Sequence, residues 1–97
     1  MMTTDVRCDG DGVDGWLCTA TVSDSGRTVS THRVHVAPED LERLAPGTED
    51  PTALIEASFA FVLERESPEM ILRSFELTDI GRYFPSYETD IRRRAGR

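Results

Sequence analysis

Residues 16–23, Trp-Leu-Cys-Thr-Ala-Thr-Val-Ser, alternate apolar and polar with a period of two. That period suits a strand with one buried face and suits a helix badly. Asp24-Ser25-Gly26 follows, and then a stretch rich in β-branched residues over 27–36, so the pattern predicts a β-hairpin. A three-residue loop with Gly26 in the left-handed position would set Ser23 opposite Arg27. Val22 would then oppose Thr28, Ala20 Ser30, Cys18 His32 and Trp16 Val34. One face collects Trp16, Cys18, Ala20, Val22, Val34 and Val36. A two-residue loop at Ser25-Gly26 would put Trp16 opposite His35 and split this apolar set over both faces. The three-residue loop is therefore the expected one.

Residues 4–8 read as a third strand with Val6 and Cys8 on one face. The segment Asp9-Gly10-Asp11-Gly12-Val13-Asp14-Gly15 between them is turn chemistry. It has a superficial look of a calcium loop. Counted from Asp9, however, the fifth position is Val13, the sixth Asp14 and the twelfth Ala20, where an EF-hand loop needs an oxygen ligand, a Gly and a Glu. The N-terminal half is thus expected to be a three-stranded antiparallel meander.

The second half changes period. Pro38 opens a short helix, PEDLERL, with Glu39 and Asp40 in its first turn, where acidic groups suit the helix dipole. Leu41 and Leu44 would face the sheet. Asp50 caps and Pro51 starts a main helix over about 51–65. Its stripe is Leu54, Ile55, Ser58, Phe59 and Val62, with Phe61 and Leu63 on the flanks. Ser67-Pro68 begins another short helix, with Met70 and Ile71 inward. Thr78 caps a turn holding Ile80 and Tyr83, and Ser86 a last segment from Tyr87. Segregated strands and helices give an α+β class rather than alternating βαβ units. Ninety-seven residues make one domain, 1–97, with 1–3 and 92–97 expected to be loose.

Charge narrows the function. The chain carries 18 acidic and 11 basic residues, net −7. Every basic residue is Arg, and Lys, Asn and Gln do not occur. The body up to residue 90 holds 18 acidic residues against seven Arg, so it would repel a phosphate backbone. The apolar runs are too short to span a membrane. The N-terminus shows no secretory signal, which makes the cytoplasm the expected compartment.

Several pieces of the chain form a recognisable pattern. They are Gly15-Trp16-x-Cys18, His32-x-Val34-x-Val36, Asp40-Leu41-x-Arg43-Leu44-Ala45 and Ser58-Phe59-x-Phe61-x-Leu63-Glu64-Arg65-Glu66. The longest is Ile71-Leu72-x-x-Phe75-x-Leu77-x-x-Ile80-x-x-Tyr83-Phe84-Pro85-x-Tyr87-Glu88. Together these pieces resemble a group of short uncharacterised bacterial proteins, and the resemblance implies a common fold and carries no activity.

Three sets of residues are candidate sites. If strand one pairs so that Cys8 opposes Cys18, then Cys8, Cys18 and His32 form a row across the sheet. Two thiolates and an imidazole would suit zinc. The same cysteines also read as plain core residues or as a cross-strand disulfide, the last disfavoured in a reducing compartment. His32 and His35, three apart on a strand, point to opposite faces and cannot share a metal. Arg92, Arg93, Arg94 and Arg97 offer a short nucleic-acid arm, or simply a cationic helix end. The aromatic cluster Tyr83, Phe84, Pro85 and Tyr87 is either a docking surface or cover for the sheet edge. No nucleophile elbow, phosphate loop or facing carboxylate pair occurs, and no cofactor is expected. The sequence thus reads as a non-catalytic protein-interaction or regulatory module. Its partner would be another protein or a second copy in a homodimer, with metal binding and nucleic-acid contact as the alternatives.

Overall fold

The computed structural model describes residues 1–95. Three ten-residue strands come first: β1 (Met2–Asp11), β2 (Gly15–Asp24) and β3 (Arg27–Val36). Helices α1 (Pro38–Leu44) and α2 (Thr52–Leu63) follow. A 3-10 turn at Pro68–Met70 leads into a short strand, β4 (Ser74–Glu76). A second 3-10 turn, Leu77–Asp79, continues into α3 (Ile80–Tyr83), and α4 (Tyr87–Ala95) comes last. The sheet order is β1-β2-β3-β4, with β4 parallel to β3 and the other pairs antiparallel. The chain is α+β, and its meander gains a fourth strand that the sequence reading lacked. The ends expected to be loose are ordered: Met2 and Thr3 belong to β1, and 92–97 is helical as far as Ala95, with Gly96 and Arg97 outside the described residues.

The β2–β3 hairpin corrects the expected register. Asp24 opposes Arg27, so the loop is the two-residue Ser25-Gly26. Both loop residues have positive φ, 52° and 87°, the condition for the primed turns whose twist matches a hairpin. Such a loop alone would split the apolar face. A bulge cures this: Ser23 opposes Thr28 but Val22 opposes Ser30, so Val29 has no partner. The extra residue restores parity. Trp16, Cys18, Ala20, Val22, Val34 and Val36 are all buried on one face, as the alternation demands. The individual pairs slide by two: Cys18 opposes Val34, and His32 opposes Ala20. At the other hairpin, Gly10 has φ of 137°, and a β-carbon there would meet the Gly15 carbonyl oxygen at 2.1 Å. Only glycine fits.

The helices cover the apolar face. α2 begins one residue later than expected, with Pro51 rather than Asp50 in the capping position, while Asp50 accepts the Thr52 amide at 2.9 Å from just outside the helix. Leu54, Ile55, Ser58, Phe59, Phe61 and Val62 of α2 are buried, the expected stripe widened by Phe61. Leu41 and Leu44 of α1 are buried as well. The piece after Pro68 departs from expectation. It makes one 3-10 turn anchored by buried Pro68, then extends toward β4, so Met70 ends 70% exposed rather than inward. No helix among the described residues is long and apolar enough to cross a membrane.

Candidate functional site

The cysteine–histidine row does not assemble. β1 and β2 pair so that Cys8 directly opposes Cys18, and the two sulfurs are bonded to each other. The bond uses both sulfurs and leaves no free thiolate to bind zinc. His32 lies two residues further along the sheet, opposite Ala20. Its ring is buried and both nitrogens are occupied. Nδ1 donates to the Leu72 carbonyl at 2.7 Å, and the Ser30 hydroxyl meets Nε2 at 2.8 Å. The imidazole is thus a polar rivet between β3 and the segment that leads into β4. Among the described residues no three His, Cys, Asp or Glu side chains gather as a metal site.

The acidic loop after β1 is used internally. One oxygen of Asp11 accepts the amides of Asp14 and Val13 at 2.8 and 2.9 Å. These two donors hold its carboxyl below the usual carboxylate range. At the other end of the chain, Arg94 pairs with Glu64 and Asp90. Arg92 and Arg93 are exposed on α4, and Arg97 lies outside the described residues.

The aromatic cluster divides. Tyr87 is fully buried. Its hydroxyl donates to Ser58 Oγ at 2.7 Å, and Ser58 in turn donates to the Leu54 carbonyl at 2.7 Å. Burial pushes the Tyr87 pKa up. Its ring packs edge-on against Phe61, as does the half-buried Phe84. Tyr87 is therefore a core residue and leaves the candidate docking surface. Tyr83 is 67% exposed and Pro85 is exposed too.

Tyr83 and Phe84 form one bank of a groove of about 300 Å³. Its floor is Val62, Ile71, Phe75 and Ile80, continuous with the core. Met70 and Leu72 also line the groove and are 70% and 52% exposed. The two acidic residues on the lining are Glu66 and Asp79. The sequence reading missed Met70 and Leu72. A signal was available: Met70-Ile71-Leu72 is a run of three apolar residues, and a one-turn segment cannot bury all three. The groove is mostly apolar with acidic groups among its lining, which suits binding by contact and burial. Among the described residues its lining has no nucleophile beside a base. Comparison of the whole chain with known protein families, with curated proteins and with solved structures finds no match.

Proposed function

We propose that the chain is a non-catalytic protein-interaction module that docks a partner in the groove between residues 70–75 and α3. One observation carries the reading: Met70, Leu72 and Tyr83 stand exposed together around one concave apolar surface, whereas Met1, Val13, Leu17 and Val29, also exposed, line no such groove. The partner it suits presents a large apolar side chain flanked by basic residues. The apolar group would fill the floor. The basic residues would meet Glu66, Asp79 and the acidic body, which favours cationic partners in encounter as well as in contact. A short peptide with Leu or Phe between arginines is a direct probe. Titrated into isotopically labelled protein, it should move the amide resonances of Met70–Phe75 and Ile80–Phe84. It should lose that effect in a Leu72→Ser, Tyr83→Ser double variant. Peptide binding that leaves these resonances still, or that survives the double variant, overturns the reading.

A further inference from the structure

The sheet has two edges, and they differ. β4 is three residues long and closes the β3 side. β1 is ten residues long, pairs with β2 without interruption, and among the described residues no strand pairs with its other side, while α2 packs against it. Open edges are usually blunted by Pro, by charged side chains, by a bulge or by a covering helix or loop. β1 holds no Pro, and its register with β2 is continuous; its exposed Asp5, Arg7 and Asp9 alternate in sign, so they repel most strands but admit one whose charges run in the complementary order.

Two observations show which backbone groups face outward. The Cα atoms of Cys8 and Cys18 are 4.0 Å apart, the close spacing of a non-hydrogen-bonded antiparallel pair. The Met1 carbonyl accepts the Ser25 amide, so odd-numbered residues of this strand turn their backbone groups toward β2. Thr4, Val6 and Cys8 therefore turn their N–H and C=O away from β2, into the open edge. A strand added here would find them unpaired.

We infer that β1 pairs antiparallel with β1 of a second copy, joining two sheets into one of eight strands about a twofold axis through Val6. Outward-facing groups must meet outward-facing groups, and apolar faces must coincide, so even-numbered residues oppose even-numbered ones. Charge then selects among the allowed registers. With Val6 opposite Val6 of the second copy, Asp5 of each chain opposes Arg7 of the other, twice by symmetry. Thr4 and Cys8 then oppose each other, and Thr3 opposes Asp9. Sliding two residues one way sets Asp5 against itself. Sliding the other way sets Arg7 against itself and Asp5 against Asp9. Sliding further brings Arg7 to Asp9 but sets Asp5 against Asp11. Opposite charges directly across a ladder stabilise it and like charges do the reverse. Among the described residues neither Asp5 nor Arg7 has an ion pair or side-chain hydrogen bond of its own. Both stay available for the partner strand. The half-buried Thr4, Val6 and Cys8 gain cover in the same step. The interface is isologous and closes on itself.

The test is the mass in solution across a wide concentration range, by sedimentation equilibrium. The wild-type chain should approach about twice the 10.9 kDa of one chain. Asp5→Arg and Arg7→Asp should each be monomeric, because each sets like charges across the ladder. Mixed in equal amounts, the two variants should regain the dimer mass as a heterodimer, and the Asp5→Arg, Arg7→Asp double variant should dimerise alone. Val6→Pro removes an outward N–H and spares the bonds to β2; it should be monomeric with an unchanged circular dichroism spectrum. A wild-type chain that stays monomeric throughout overturns the inference. So does a dimer that tolerates both charge variants, or one that Tyr83→Ser dissociates, which would place the interface at the groove.

Discussion

β1 and the C-terminal part, residues 67–95, both lie at the periphery, and they are held in opposite ways. β1 is fixed mainly by its pairing with β2: a continuous backbone ladder, reinforced by the Cys8–Cys18 side-chain bond and the N-terminal ammonium on Asp24 at 3.0 Å. Its side chains are exposed or half-buried. Residues 67–95 are broken into short pieces, none of which would form alone. They are held by side chains: buried Leu77, Ile80, Tyr87 and Ile91, the His32 bond to the Leu72 carbonyl, and the Tyr87–Ser58 bond. A segment held by a backbone ladder tolerates change at its side chains other than the cross-linked Cys8. A segment held by a few side chains fails when one is lost.

The largest expected effect tests that contrast directly. Phe59 of α2 is buried, and its ring lies 5.4 Å from His32 and 6.3 Å from Phe75. It supports both the rivet and β4. Phe59→Ala should cost about 3–5 kcal/mol in urea unfolding. Hydrogen exchange in the same variant should speed first at residues 71–84 and last in β1 and β2. On β1, Val6→Ala removes less buried surface and should cost under about 1 kcal/mol. Equal costs for the two truncations would erase the distinction.

The contrast also explains what could be read beforehand. Period-two alternation gave the buried face of β2 and β3, because that pattern reports a face and needs no partner. It could not give the pairs. The bulge at Val29 repairs parity inside the strand, and nothing in 27–36 marks it except that Val29 alone need not alternate. The helix over 52–63 was legible from its stripe and its Asp-Pro start. β4 was not, since three residues carry no period and its parallel partner, β3, is distant in sequence. Tyr83 and Tyr87 have the same side chain four positions apart. Only the packing of α4 on α2 separates the exposed ring from the buried one.

Reduction of Cys8–Cys18 is the next effect in size and falls on the other side of the comparison. The bond closes a loop with a sequence separation of 10, and chain-entropy estimates for such a loop give about 2–3 kcal/mol. The reduced protein, or a Cys8→Ala, Cys18→Ala double variant, should lose that much in urea unfolding and keep its circular dichroism spectrum. Amides of β1 should exchange faster, while the protection of residues 71–84 should stay unchanged relative to global stability. Faster exchange in the C-terminal part would mean that the two peripheral regions are coupled through the sheet.

A smaller effect than that of the disulfide falls on a single hydroxyl. Tyr87→Phe deletes the donor to Ser58 and should cost about 1 kcal/mol near neutral pH. The same substitution carries a pH signature. Burial raises the folded-state pKa of Tyr87 above its ordinary 10.0, so the folded state keeps the phenol proton after the unfolded chain has lost it. The resulting stabilisation is fully present below the unfolded value. It is lost progressively as pH rises from there toward the raised folded value. Wild-type stability should therefore fall between about pH 8 and about pH 11 by more than that of Tyr87→Phe. The gap between the two proteins should narrow at the alkaline end, because the phenylalanine variant has no phenol to ionise. Denaturant titrations of both proteins at the two pH values measure the gap, and groups common to both cancel in the difference. A gap that stays constant would mean that Tyr87 ionises as readily in the folded chain as in the unfolded one, which its burial among Phe61 and Ser58 forbids.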